Sequence, residues 1–349
     1  MALDTSTLGT PVEISQISKA LKKLWESSGG ATTRASLINF AVYCEGAGAA
    51  EFNTSLISEF TREHACRALL VVAEPNAPET RVRAWINAHC HLTKAGAKHV
   101  CCEQISFLVE GRVGNVLPNI VFSNLDSDLP LVFWWQGEFP DPIDEQLWAW
   151  VDRLVFDSQK WAQPAKQFEL LLGSLESSQT RLALCDLNWT RSLHLRQALA
   201  QMFDHPENLA ILNSFQTVSI TYAPEFRSTA LLLVGWFAAQ LKLTHRRHSA
   251  SEVVLANPRG GEVTFRLNAS EGRSIGCCEV SSPAGSVSIT RDGNGDFFRV
   301  AVRLAGGAEF QHVLPAGNNQ TINLLAEELG LGGRHRVYIK ALAVAKALL

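Results

Sequence analysis

Apolar residues at Ile14, Ile17, Leu21 and Leu24 recur at the three- and four-residue spacing of one helix face, which predicts a helix over 14–25 stopped by Gly29-Gly30. A strand is expected over 35–44, an amphipathic helix over 50–63, and a buried strand over 66–73 ended by Glu74-Pro75. Residues 81–91 alternate apolar and polar, as a strand with one wet face does. The pattern over 100–109 is mixed, and 113–124 reads as a helix or a connecting segment. Leu129-Pro-Leu-Val-Phe-Trp-Trp135 is nearly continuous apolar chain opening into Gln136-Gly137-Glu138, the profile of a strand buried on both faces. Successive strand residues point to opposite faces, so Trp134 and Trp135 each need a large pocket of their own. A short helix at 144–150 and a short strand at 153–156 follow. Strands alternating with helices predict a layered α/β domain with a mostly parallel sheet.

Trp161-Ala-Gln-Pro164 is a plausible boundary, which gives an α/β domain over 1–163 and an α+β domain over 164–349. In the second, helices are expected at 165–175 and 192–203, strands at 181–185 and 215–222, and a long helix at 224–243 with Pro224 in its first turn. His245-Arg-Arg-His248 reads as a basic cluster at that helix's C-terminus. Beyond 250 the texture changes: 13 of the 24 glycines fall there and turns such as Asp292-Gly-Asn-Gly295 separate short alternating segments, so an antiparallel β-rich region is expected. A last helix is read at 321–329.

Composition narrows the function classes. With 46% apolar and 19% charged residues, the chain can bury sizeable cores. The net charge of −3 and the lack of a basic stripe argue against nucleic acid. The longest apolar run, Ala230–Ala239, is ten residues against the ~20 of a membrane span. Residues 1–18 have no charged leader followed by an apolar stretch, so a cytoplasmic setting with free thiols is expected for the eight cysteines.

Catalytic signals are sparse. Gly46-Ala-Gly48-Ala-Ala-Glu51 follows a strand and opens a helix, with Glu74 at the end of the next strand, but Glu51 stands where a dinucleotide fingerprint needs its third glycine. A carboxylate at that helix start would repel a pyrophosphate. His89-Cys-His91 and His99-Val-Cys-Cys102 collect six candidate metal ligands, which would converge only if the two segments pair as strands, and no Cys-x₂₋₄-Cys loop is present. Core cysteines and surface histidines explain the same letters. Cys185 ends an apolar strand, where a buried thiol is ordinary. No catalytic residues, cofactor ligands or metal ligands are therefore assigned.

The denser polar group is Asp186-Leu-Asn-Trp-Thr-Arg191. It reads either as a helix start, with Asn188 or Thr190 as the cap and Arg191 paired to Asp186, or as a recognition patch, because Trp and Arg are enriched in interface hot spots. Five of the nine tryptophans lie between 134 and 161, which fits core packing or a partner groove.

Several of these runs carry a resemblance. The Trp134-Trp135 strand, Asp157-Ser158, Trp161, Asp186 to Arg191, the stretch from Trp189 to Phe203-Asp204, and Arg62-Glu-His-Ala-Cys-Arg67 occur in the order seen in the glucose-6-phosphate dehydrogenase assembly protein family, OpcA. The chain has Ala65 where the family usually reads His-Pro-Cys-Arg. The likeness spans roughly 12–345 and is densest from 129 to 204. It implies a non-catalytic partner that binds glucose-6-phosphate dehydrogenase, promotes its active oligomer and raises its substrate affinity, feeding the oxidative pentose phosphate pathway and NADPH supply. The residues expected at the contact are Trp134, Trp135, Glu138, Asp186, Asn188, Trp189 and Arg191. The cysteines add the expectation of a thiol switch, with a thiol-disulfide oxidoreductase as a further partner. The alternative is an enzyme or sensor that binds a phosphorylated metabolite or nucleotide at the strand-end loops of the N-terminal domain.

Overall fold

A computed structural model describes residues 5–26, 32–46, 48–92, 99–112, 116–177, 182–293, 295–332 and 335–349. The chain divides into two compact units, one of residues 1–156 with 174–185, the other of 157–173 with 186–349. The expected single cut at 163/164 thus becomes an exchange of segments, with 174–185 returning to the first unit.

The first unit is built on a nine-stranded sheet. Its elements are β1 (Thr10–Val12), α1 (Ile17–Glu26), β2 (Thr32–Arg34), β3 (Ile38–Glu45), α2 (Ala49–Phe60), β4 (Cys66–Glu74), β5 (Arg81–Leu92), β6 (His99–Glu110), α3 (Leu117–Phe122), β7 (Leu131–Trp135), α4 (Glu145–Trp148), β8 (Arg153–Phe156) and β9 (Ala183–Asp186); α5 (Pro164–Ser177), which precedes β9 in the chain, belongs to the second unit up to Gly173. The order is β1-β5-β6-β4-β3-β7-β8-β9, with β2 beside β6. Pairings from β6 through β4, β3 and β7 to β8 are parallel, while β5 is antiparallel to both β6 and β1. Central strands are buried on both faces, which is why β3, β4 and β7 read as apolar runs instead of alternating. The mixed segment near 100–109 is the full strand β6, held between β5 and β4.

Pairing of β5 with β6 places Cys90 directly opposite Cys101, and the two form a disulfide. This corrects the expectation of eight free thiols and removes the ligand cluster read around them. His89 instead hydrogen-bonds Gln104 at 2.7 Å, and His91 meets the Thr61 hydroxyl at 3.0 Å.

The second unit carries an eight-stranded sheet of β10 (Thr217–Tyr222), β11 (Thr244–His248), β12 (Glu252–Ala256), β13 (Glu262–Ala269), β14 (Ile275–Ser282), β15 (Gly285–Arg291), β16 (Phe297–Leu304) and β17 (Glu309–Pro315). Its order is β11-β12-β13-β10-β14-β15-β16-β17, and only β10–β13 is parallel. The helices are α6 (Leu187–Thr190), α7 (Leu193–Phe203), α8 (Leu209–Asn213), α9 (Arg227–Leu241), α10 (Thr321–Gly330) and α11 (Arg336–Leu348).

Two expectations change here. The basic run 244–248 is an exposed edge strand, because α9 stops at Leu241 and Lys242 turns the chain in the left-handed region, φ 54°. Charged side chains on such an edge discourage pairing with another chain. The chain also continues past 330 into α11, whose Tyr338, Ala341, Leu342, Ala345 and Leu348 form one buried stripe. This helix packs along α9 closely enough that a Cβ at Gly235 would lie 2.3 Å from the Ala341 carbonyl oxygen. No described helix is long and apolar enough to cross a membrane.

Candidate functional site

The strongest polar cluster centres on Asp186, in the second unit. β9 ends there in extended backbone, and the carboxylate caps α6 by accepting from the Asn188 N–H at 2.9 Å. The same carboxylate accepts from the Ser158 N–H at 3.0 Å, the Ser158 hydroxyl at 2.6 Å and the Tyr338 hydroxyl at 3.0 Å. Asp186 is the cap that was expected of Asn188 or Thr190. Its oxygens are filled by these donors, and Arg191 turns instead to Asp157, with two hydrogen bonds of 2.6 Å.

Asn188 extends the cluster. Its amide donates to Ser158 Oγ at 3.0 Å and Ser228 Oγ at 3.1 Å, and accepts from the Thr229 hydroxyl. Thr190 donates to the fully buried Glu328 at 2.6 Å, and Glu328 also meets the His335 ring. Trp189 lies between Tyr338, with ring centroids 5.4 Å apart, and the Arg196 guanidinium, 3.6 Å from the indole centroid. Arg196 holds its place by donating to the Trp189 carbonyl at 3.0 Å and to Ser192 Oγ at 3.1 Å.

Burial sets the electrostatics. It lifts the Asp186 carboxyl to about 7, against the pull of the Ser158 and Asn188 donors, and the Asp157 charge adds to the rise. Burial likewise lowers Arg196 to about 9, while the Glu328 carboxylate acts to keep it charged. The cluster ties α6, α9, α10, α11 and the turn at 158–160 into one hydrogen-bonded hub. Because its donors and acceptors face each other, its chemistry is that of a positioning network.

The tryptophan strand sits in the first unit. Trp135 stacks on Tyr43 at 4.0 Å and donates its indole N–H to the Glu138 carbonyl at 3.1 Å, which shapes the turn after β7. Gln136 and Asn53 exchange two amide hydrogen bonds of 2.7 and 3.1 Å, which join that turn to α2. Trp134, on the opposite face, lies in register between Val42 and Val155.

Six of the seven residues expected to meet a partner are therefore interior. Trp134 is 3% exposed, Trp135 6%, Trp189 4% and Arg191 9%, with Asp186 and Asn188 fully enclosed; Glu138 lies at the surface. The structure brings Asp186, Asn188, Trp189 and Arg191 together in one unit and places Trp134, Trp135 and Glu138 in the other. Trp150, which belonged to the tryptophan run without being singled out, is the exposed one at 68%, with Phe122 5.7 Å away. Sequence reading also missed Glu103, buried in the first unit, which accepts from Trp25 Nε1 at 3.1 Å, from Arg34 at 3.0 Å and from Arg67. Arg67 belongs to the 62–67 motif, but Glu103 sits in β6, whose mixed pattern hid it.

At the strand-to-helix turn of the first unit, Gly46 adopts φ 86° and Glu51 lies in the first turn of α2. Five of the six free cysteines, Cys44, Cys66, Cys102, Cys185 and Cys278, are buried and Cys277 is half-exposed; burial pushes the Cys44 thiol up to about 12 and raises Cys66 and Cys278 as well. The thiol-disulfide oxidoreductase expected as a partner has no support in this arrangement.

Fold and site define a two-unit α/β protein with one mostly parallel and one mostly antiparallel sheet, and with a buried polar hub in the second unit. Residues 58–172 match the glucose-6-phosphate dehydrogenase subunit N-terminal domain, and residues 182–342 match the C-terminal domain of the same subunit. The chain belongs to this OpcA family of glucose-6-phosphate dehydrogenase assembly proteins. It is 24% identical over 311 residues to a Synechocystis protein named as OxPP cycle protein OpcA, a match that takes in 81% of this chain and 63% of that protein's length. Among solved structures, aldose-aldose oxidoreductase from Caulobacter crescentus aligns over 89% of this chain and 96% of its own at 12% identity, with a TM-score of 0.47. Biliverdin reductase from Synechocystis aligns over 89% and 98% at 11% identity, also with a TM-score of 0.47.

Proposed function

We propose that this chain is a non-catalytic assembly factor and allosteric activator of glucose-6-phosphate dehydrogenase in the oxidative pentose phosphate pathway. The observation that carries the reading is the pair of family matches, which run in order over both units. The inward pairing of Asp186, Asn188 and Arg191 supports a structural task for the most polar cluster, with the hub fixing the surface that the partner meets. The buried tryptophans act in the same indirect way, and Trp150 offers a ring for direct contact.

Activation requires that the chain bind the active dehydrogenase conformer more tightly than the inactive one. A hundredfold shift corresponds to ~2.7 kcal/mol of differential binding, within reach of one or two aromatic or arginine anchors. Sedimentation of the cognate dehydrogenase with and without this chain tests the assembly role. A larger dehydrogenase oligomer in the mixture is expected; an unchanged oligomer in a mixture that co-sediments would contradict it.

A further inference from the structure

We infer that the first unit carries a binding site for a small phosphate monoester, in the groove between the segment that follows β1 and the start of β5. A cavity of about 630 Å³ lies there, lined by residues 11–15 and 81–85. Small-molecule pockets span roughly 300–1,000 Å³, so the groove has room for a metabolite.

The fold makes this groove by stopping one strand short. β1 pairs with β5 only from Thr10, opposite Ile86, to Val12, opposite Ala84. Beyond Val12 the chain turns into a short 3-10 helix, Ile14–Gln16, so among the described strands residues 81–83 pair with β6 alone. Their outer edge stays open. Successive strand residues point to opposite faces, yet all five of residues 81–85 line the cavity, which therefore opens onto the strand's edge and its backbone. Arg81 is in register with Glu110, the last residue of β6, and Glu110 with Glu74, the last residue of β4. The groove thus stands at the carboxyl ends of parallel strands, where open α/β sheets hold their ligands.

The lining sets the ligand class. Arg81 and Arg83, two positions apart and so on one face of β5, both line the cavity. Arg83 stands over Trp85, its guanidinium 5.7 Å from the ring centroid, and pairs with Glu110 at 3.5 Å. That separation is long for a charge-assisted hydrogen bond. Arg83 Nε and Glu110 Oε2 are both buried without a hydrogen-bond partner, so the pair leaves Arg83 a donor to give. A buried donor left unmade is costly, and an anion that accepts from it removes the cost. Two guanidiniums on one face offer more donors than the two oxygens of a carboxylate can take; the three terminal oxygens of a phosphate match them. Ser15 adds a hydroxyl from the other wall, and Val12, Ile14 and Val82 supply apolar surface for the body of an organic ester. Glu110 does not line the cavity, and Glu13, the one carboxylate that does, is exposed and screened by solvent.

The test is calorimetric titration of the full chain with glucose 6-phosphate, 6-phosphogluconate, glycerol 3-phosphate, inorganic phosphate and unphosphorylated glucose. No dehydrogenase is present, so the outcome is independent of the activator reading. At least one ester should bind one to one, at least about tenfold tighter than inorganic phosphate, and glucose should not bind. Arg81 is exposed, so Arg81→Ala should leave the melting temperature unchanged and weaken the ester at least about tenfold. Arg83→Lys keeps the charge without the fork and should weaken it as well. Arg303→Ala, which removes an exposed arginine of the second unit, should bind as the natural chain does. Three esters that fail to bind at millimolar concentration, inorganic phosphate that binds as tightly as the best ester, or an affinity that both Arg81→Ala and Arg83→Lys leave unchanged would overturn the proposal.

Discussion

Arg191 and Asp157, 34 positions apart, meet through two hydrogen bonds of 2.6 Å with both side chains 7% exposed. A paired guanidinium and carboxylate in this setting gain little over an apolar substitute, but losing one partner strands a buried charge. Arg191→Ala should therefore cost about 3–5 kcal/mol. Arg191→Lys should recover only part, since an ammonium cannot make the parallel fork. Urea unfolding measures both; a loss below about 1 kcal/mol for Arg191→Ala, the scale of an exposed pair, would contradict the bidentate pairing.

Asp186 gives a pH signature. Burial raises its carboxyl from the ordinary value near 3.8 to about 7 in the fold, so the native state holds the proton more tightly than the unfolded state. The unfolded chain then binds fewer protons between about pH 4 and pH 7, and stability falls as pH rises through that window. The contribution is fully present below pH 4 and lost above pH 7, on the order of 4 kcal/mol. Asp186→Asn should remove this slope, measured as the difference between the two proteins' unfolding free energies across the window. Parallel pH profiles would show that Asp186 does not hold its proton.

Two tryptophans should respond in opposite ways. Trp189 is enclosed between Tyr338 and Arg196, so Trp189→Ala should cost about 3–5 kcal/mol of stability. Trp150 is 68% exposed, so Trp150→Ala should leave the melting temperature nearly unchanged and weaken dehydrogenase binding by about 2 kcal/mol. Thermal melts beside binding isotherms separate the two. A Trp150→Ala variant that binds like the natural chain would remove Trp150 from the contact.

What was legible in the sequence follows from which forces are local. The strands β3, β4 and β7 stand out because burial on both faces makes them apolar without interruption, and Pro224 opens the turn that leads into α9. The stripe of Tyr338, Ala341, Leu342, Ala345 and Leu348 has the helical period and could have revealed α11, though three of its five members are alanine or tyrosine and carry a weak apolar signal. The Asp186 group was visible as a polar run after a strand, but its partners Ser158, Ser228, Glu328 and Tyr338 lie 28 to 152 positions away, and only tertiary packing joins them. The Cys90–Cys101 pairing likewise needed the β5–β6 register. Counting tryptophans could not tell the four buried ones between 134 and 161 from the exposed Trp150, because exposure there depends on which strand ends the chain brings together.

The most direct measurement is a titration of this chain into a glucose-6-phosphate dehydrogenase assay with its cognate enzyme. The apparent KM for glucose 6-phosphate is predicted to fall with added chain until the dehydrogenase is saturated, while the chain alone turns over no substrate. Unchanged kcat and KM at concentrations where the two proteins co-elute would contradict the assignment of this chain as an activator.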